Sequence, residues 1–143
     1  MSDLAKYNTI IFDCDGVILN SNFKKIEAYR NAALEYGASS VQAEELVNHH
    51  IELTGISRYI KFKYFLKEIM SEKITDEAMK KLVNYLNEQV LELLKDCEVT
   101  SGLRELKNKT KDTSWMVASG GDQKELRYLF KKNKIDFFFS EGI

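Results

Sequence analysis

The chain has 143 residues, which is enough for one hydrophobic core or for a core that carries an inserted helical block. Its 21 basic and 22 acidic side chains leave a net charge of -1, so no global positive field would attract nucleic acid or an anionic membrane. Two cysteines are too few for a disulfide framework, and no apolar run approaches the roughly 18 residues of a membrane span. These features predict a cytoplasmic protein that binds neither nucleic acid nor membranes.

The first predicted element in chain order is a buried strand over 9–12, because β-branched and aromatic residues follow one another there without polar interruption. Helical periodicity replaces this pattern from about Ser21 to about Asp96. Caps and glycines divide this block into four predicted helices, which cover 21–36, the stretch between Ser40 and Gly55, 57–70 and 75–94.

The pattern returns to alternating strands and helices after the helical block. The predicted elements are a short helix from Ser101-Gly102, a second buried strand over 115–118, a helix capped by Asp122 and a third strand over 137–139. Such alternation is typical of a parallel sheet, in which ligands bind at the carboxyl ends of the strands. Asp13, Asp15 and Ser119 all fall at such ends. The sequence therefore predicts an α/β fold with a helical insertion and a binding site at that edge of the sheet.

Asp13 and Asp15 place two carboxylates one residue apart at the end of the first strand. The two charges repel one another, and a divalent cation is their natural partner. Mg²⁺ suits them best, since it takes a few carboxylate or carbonyl oxygens and is commonly completed by a substrate phosphate. One carboxylate can also attack phosphorus while a second protonates the leaving oxygen. An ordinary polar turn at the end of a strand is the alternative interpretation.

Two stretches resemble motifs of a known family. Ile-Ile-Phe-Asp-Cys-Asp-Gly-Val at residues 10–17 resembles the first motif of the haloacid dehalogenase superfamily, and Val-Ala-Ser-Gly at 117–120 resembles the second. The resemblance spans the whole chain. It implies a partial Rossmann-like core with a parallel sheet, formed by residues 1–17 and 97–143, and a cap domain at 18–96. This would be the four-helix cap of the phosphoglycolate phosphatase and β-phosphoglucomutase branch.

The resemblance also implies a role for each motif residue. Asp13 would be the nucleophile and Asp15 the general acid and base, and Mg²⁺ would be held by the Asp13 carboxylate and the backbone carbonyl of Asp15. Ser119 would donate to the phosphoryl oxygens, with the backbone at Gly16 and Gly120 close to the phosphate. An ordinary polar turn before the next helix is the alternative interpretation of Ser119-Gly120-Gly121.

Arg58 begins a predicted helix in a segment that resembles the substrate-selecting part of this type of cap. Its guanidinium would bind an anionic part of the substrate. The alternative is a solvated basic helix face, which Arg58 would share with Lys61 and Lys63.

The predicted function is Mg²⁺-dependent hydrolysis of a small phosphorylated metabolite, a sugar phosphate or a phosphorylated acid. A mutase is an alternative, since the aspartyl-phosphate can also react with a sugar hydroxyl. Family members carry a further lysine and an acidic pair on later strands, whereas Lys131, Lys132 and Lys134 fall at the end of a predicted helix. A core that is incomplete at its C-terminal end therefore predicts self-association through the open sheet. An inactive remnant that only binds a ligand or a partner is the second alternative.

Overall fold

The computed structural model describes residues 3–139 and 142–143. It divides into two compact units, a sheet unit formed by the described residues of 1–21 and 95–143, and a helical unit formed by Asn22–Leu94. None of the helices in this part of the chain is both long and apolar enough to cross a membrane. The α-helices are α1 (Asn22–Tyr36), α2 (Ser40–Glu52), α3 (Arg58–Tyr64), α4 (Asp76–Leu94), α5 (Leu103–Lys109) and α6 (Gln123–Lys132).

The sheet unit contains two parallel strands, β1 (Thr9–Phe12) and β2 (Ser114–Val117), which confirms the α/β fold and the positions of the first two predicted strands. The burial predicted for the first strand is wrong, because no residue of β1 is fully buried. Phe12 lies opposite Val117. The ladder continues one residue further, because the Ala118 N–H donates to the Phe12 carbonyl at 2.9 Å. This register sets the residues that follow the two strands side by side at one edge of the sheet.

The second edge of β1 has no strand neighbour among the described residues. The carbonyls of Asn8 and Phe12 accept from the β2 side, so the backbone groups of the alternate residues Thr9 and Ile11 point to the other edge. The Ile11 side chain is 64% exposed. An open strand edge with an apolar side chain favours pairing with a further strand. Self-association through this edge stays a prediction.

The prediction of a third strand over 137–139 is wrong, because Asp136–Phe139 forms a 3₁₀ helix. Phe138 and Phe139 are both buried, whereas the first of the three phenylalanines is exposed. Neighbouring residues of a strand point to opposite faces, so a helical turn is needed to bring both rings to one core. Beyond this turn, the carbonyl of Gly142 accepts from the Val117 N–H of β2 at 3.1 Å.

Trp115 of β2 lies at the centre of the aromatic core in the sheet unit and is 1% exposed. Its ring centroid is 4.6 Å from that of Phe12 and 5.7 Å from that of Phe139. Its Nε1 donates to Thr110 Oγ1 at 3.1 Å, so the one polar atom of the indole has a partner inside the core. The 3₁₀ helix thus serves to close the core over β1 and β2.

The helical unit packs α1 against α2 and α4. The predicted helix starts are confirmed: Ser39 and Gln42 form a complete capping box before α2, and Thr75 Oγ1 accepts from the Ala78 N–H at the start of α4. The buried residues of α4 recur every four positions and form the apolar stripe of an amphipathic helix, at Ala78, Leu82, Leu86, Val90 and Leu94.

The helix predicted over 57–70 is divided in the structure. Its first part is α3, and a π-helical turn follows at Phe65–Ile69. There the Met70 N–H donates to the carbonyl of Phe65, five residues back, at 2.9 Å. This wider turn leaves both Phe65 and Leu66 fully buried. The apolar pattern predicted a helix correctly, but a single wide turn leaves almost no trace in that pattern.

Two cations of α3 are buried, so the interpretation of a solvated basic face is wrong for them. Arg58 is 8% exposed and Lys61 is 2% exposed, whereas Lys63 is exposed. The Arg58 guanidinium donates from Nη1 to Asn87 Oδ1 of α4. Lys61 Nζ lies 2.9 Å from His50 Nδ1, which must accept because an ammonium can only donate. Both cations are thus bonded to other helices of the unit.

His49 of α2 stacks on Tyr64, with ring centroids 3.8 Å apart and planes 6° from parallel. Its Nε2 is buried and has no hydrogen-bond partner in the described part of the chain. Burial lowers the pKa of His49, the Glu52 carboxylate raises it and the Lys61 ammonium lowers it further. The net direction is downward, so the folded state favours the neutral ring.

Acidification is therefore expected to destabilise the helical unit through His49. Above the ordinary histidine pKa of about 6.5 the ring is neutral in both the folded and the unfolded state, and this contribution to stability is complete. Below that pH the unfolded chain binds a proton that the folded state resists, so the free energy of unfolding falls as the pH drops through the folded pKa. Urea unfolding between pH 7.5 and pH 5 measures this slope. His49→Phe keeps a ring against Tyr64 and should flatten the slope, and an unchanged slope in that variant would refute the assignment.

Candidate active site

Asp13 is the first residue after β1, and it is exposed. Its Oδ1 accepts from the N–H of Cys14 at 2.7 Å. Cys14 itself is fully buried, and this anchors the backbone next to the carboxylate. No further hydrogen bond to Asp13 is found among the described residues, and the residue is exposed.

Gly16 turns the chain immediately after Asp15. Its φ of +74° lies in the left-handed region, where a side chain would introduce strain. The Gly16 N–H donates to the carbonyl of Leu19 at 2.8 Å, and the amides of 17–19 all donate to the carbonyl of Cys14. The glycine therefore allows a tight, hydrogen-bonded loop that carries Asp15 at the carboxyl edge of the sheet.

Asp15 is half-buried, and its carboxylate meets Ser21. Ser21 Oγ lies 2.5 Å from Asp15 Oδ1, and Ser21 is fully buried. The sequence pattern indicated only a helix start at Ser21 and gave no sign of this contact. A hydroxyl six residues beyond an aspartate belongs to no periodic pattern, so only the path of the loop reveals it.

Ser119 lies at the same edge of the sheet as Asp13. The Ala118 N–H is bonded to β1, so Ala118 is beside Asp13 and Ser119 is the next residue along. Ser119 Oγ accepts from the Gly121 N–H at 3.1 Å, which leaves the hydroxyl hydrogen able to donate. Gly120 is exposed beside it. The parallel register thus brings the two motifs together, and the catalytic roles of their residues stay predictions.

The oxygen atoms at this edge are suited to a hard cation. Among the described residues, no group of three or more His, Cys, Asp or Glu side chains is arranged to hold a metal ion. Mg²⁺ is commonly held by one or two carboxylates together with carbonyl oxygens, waters and a substrate phosphate, and Asp13 and Asp15 can supply such oxygens at this edge. The residues present therefore fit Mg²⁺ as an ion shared with the substrate.

The remaining predicted site residues lie elsewhere. Arg58 belongs to the helical unit, where it is bonded to Asn87, and its role toward substrate stays a prediction. Lys131 and Lys132 lie in the last turn of α6, as predicted, and both are exposed. Neither position indicates a substitute for the family lysine.

Comparison with known proteins supports the resemblance. A family model described as haloacid dehalogenase-like hydrolase matches residues 10–142. No curated protein matches the chain.

Solved structures share the fold. A predicted phosphatase from Clostridium acetobutylicum is 16% identical with a TM-score of 0.72, and the match covers 96% of this chain and 60% of that one. A predicted phosphoglycolate phosphatase from Haemophilus somnus is 17% identical with a TM-score of 0.73, covering 96% and 62%. A β-phosphoglucomutase from Clostridium difficile is 19% identical with a TM-score of 0.63, covering 94% and 60%.

The chain spans about three-fifths of the length of these structures. At such identities the structures establish the shared fold alone. The family model, in contrast, spans residues 10–142, a range that includes both motifs at the carboxyl edge of the sheet. The chain therefore belongs to the haloacid dehalogenase-like hydrolase family.

Proposed function

We propose that the protein is a Mg²⁺-dependent phosphatase of the cytoplasm that hydrolyses a small phosphorylated metabolite. The observation that carries this proposal is the arrangement at the ends of β1 and β2. There the exposed Asp13 carboxylate has an oxygen available for attack, and the Ser119 hydroxyl has a hydrogen available to donate. A nucleophile beside a donor at the carboxyl ends of parallel strands supports attack on a phosphoryl group.

The proposed mechanism has two steps. Asp13 Oδ2 forms a bond to phosphorus while the bond from phosphorus to the leaving oxygen breaks, and Asp15 gives that oxygen its proton. Water then attacks the aspartyl-phosphate, Asp15 takes back a proton, and phosphate leaves. Ser119 donates to a phosphoryl oxygen, while Gly16 and Gly120 let the backbone approach the phosphate. Mg²⁺, when held by Asp13 and Asp15, would offset the negative charge of the carboxylates and the phosphate.

The helical unit is the proposed cap, which would exclude bulk water and select the substrate. A sugar phosphate or a phosphorylated acid is the proposed substrate class, and its support is the resemblance to phosphoglycolate phosphatases and β-phosphoglucomutases. Arg58 is the proposed contact to an anionic group of that substrate. A mutase would use the same aspartyl-phosphate and differ only in the acceptor hydroxyl.

A binding protein without catalytic activity is the second candidate. In the described part of the chain, Asp13 and Asp15 are the acidic residues at this edge of the sheet, and no group of three or more acidic, histidine or cysteine side chains is arranged for a metal. A Mg²⁺ ion held there would rely on waters and a bound phosphate for its remaining ligands, which favours a protein that binds a phosphorylated ligand.

Phosphate release from p-nitrophenyl phosphate separates the two candidates. The phosphatase is expected to release phosphate with Mg²⁺ and to stop when EDTA removes the ion. The second candidate predicts no release under either condition. Thermal unfolding with and without Mg²⁺ provides an independent measurement, since an ion that binds only the folded chain raises the Tm.

A further inference from the structure

Ser21 carries a fully buried hydroxyl that meets a proposed catalytic group. It is 0% exposed, and its Oγ lies 2.5 Å from Asp15 Oδ1. The next possible acceptor, the carbonyl of Leu19, is 3.3 Å away. A hydroxyl has a single hydrogen, so the shorter distance indicates donation to Asp15. A buried hydroxyl without an acceptor is costly, which also favours this bond.

The position of Ser21 is fixed by backbone hydrogen bonds at Ser21 itself and at the residues before it. The Ser21 N–H donates to the Leu19 carbonyl at 2.9 Å, and the preceding Asn20 N–H donates to the Glu98 carbonyl at 2.9 Å. The Thr100 N–H donates to the Ile18 carbonyl at 2.9 Å. The loop that follows the motif is therefore tied to the segment at 98–100, and the hydroxyl is presented to Asp15 from a rigid support.

This contact keeps Oδ1 of Asp15 in place during the proposed proton transfer. An oxygen that accepts from Ser21 is held whether the carboxyl is charged or protonated, because the carbonyl oxygen of a carboxylic acid also accepts hydrogen bonds. A side chain that is already held in one rotamer has a smaller entropic cost of reaching its reactive geometry.

We infer that Ser21 is a positioning residue that holds Asp15 for proton transfer through its bond to Oδ1. The inference rests on the proposed function. Ser21 acts through Asp15 and forms or breaks no covalent bond itself. It predicts that loss of the hydroxyl harms the proton-transfer step more than the attack by Asp13.

The test compares two aryl phosphates in the wild-type chain, Ser21→Ala and Ser21→Thr. Phenolate is a strong base and leaves with help from an acid, whereas p-nitrophenolate leaves without a proton. Ser21→Ala is expected to lower kcat/KM, which reports the attack of Asp13 on the ester, about tenfold more for phenyl phosphate than for p-nitrophenyl phosphate. Ser21→Thr keeps the hydroxyl and should restore the wild-type ratio. The exposed Ser101→Ala is the matched control and should leave the ratio unchanged.

A second measurement does not depend on turnover. Three-bond couplings of the Asp15 side chain should show more averaging of χ1 in Ser21→Ala than in the wild type or in Ser21→Thr. An equal loss of kcat/KM for both esters, or couplings in Ser21→Ala that match the wild type, overturns the positioning role while the phosphatase stands. No phosphate release by the wild-type chain overturns the phosphatase itself, and with it the inference.

Discussion

Replacing Asp13 with asparagine is expected to abolish phosphate release from p-nitrophenyl phosphate. The amide has the shape of the carboxylate but cannot act as a nucleophile toward phosphorus, so the aspartyl-phosphate does not form. Loss of a catalytic nucleophile lowers kcat by about 10³-fold or more. Asp13 is exposed and its Oδ1 bond to the Cys14 N–H is one that the amide oxygen can keep. The free energy of unfolding should therefore change by less than about 0.5 kcal/mol.

Asp112→Asn provides the matched control for this experiment. Asp112 is an exposed aspartate of the sheet unit that lies before β2, away from the carboxyl edge. The same chemical change there should leave both kcat and stability unchanged. Phosphate release by Asp13→Asn at more than a tenth of the wild-type rate would contradict the role of Asp13 as nucleophile.

Replacing Trp115 with alanine is expected to produce the largest loss of stability. The indole is 1% exposed, lies against Phe12 and Phe139, and donates to Thr110. Truncating a buried tryptophan costs about 3 to 5 kcal/mol through lost burial and the cavity left behind. That is a large part of the roughly 5 to 15 kcal/mol by which native domains are stable. Urea unfolding followed by far-ultraviolet circular dichroism measures it, since Trp115 is the only tryptophan and its fluorescence disappears with it.

Two further variants separate packing from hydrogen bonding at this position. Trp115→Phe keeps most of the ring and loses the bond to Thr110, so its destabilisation should be smaller than that of the alanine variant. Phe137→Ala removes a ring that is 62% exposed and should have little effect. Equal destabilisation by the alanine substitutions at Trp115 and Phe137 would contradict the assignment of the core.

Features that depend on neighbours along the chain could be predicted from the sequence. The cap at Asp122 and the helix starts near Ser40 and at 75 were found because a capping side chain bonds an amide two or three residues away. The strands β1 and β2 were found because runs of β-branched and aromatic residues favour strands, although the sequence did not show that β1 is open on one side. For the same reason the sequence identified Asp13, Asp15 and Ser119 as strand-end residues.

Features that depend on where a segment packs could not be predicted in this way. The three phenylalanines at 137–139 have the composition of a strand, yet the Trp115 core accepts two adjacent rings and selects a 3₁₀ turn. The basic residues Arg58 and Lys61 have the composition of a solvated face, yet both are buried, and Asn87 and His50 on other helices are their hydrogen-bond partners.

The sequence by itself determined the family, the order of the strands and helices as far as α6 and the identity of the two aspartates, since each is written in a short run of adjacent residues. Only the tertiary structure decided that Ser21 meets Asp15 and that Ala118, the residue before Ser119, lies beside Asp13. Those contacts depend on the path of a loop and on the register of two strands about a hundred residues apart. Hydrogen bonds and packing between distant segments set that path and register, and no local pattern encodes them.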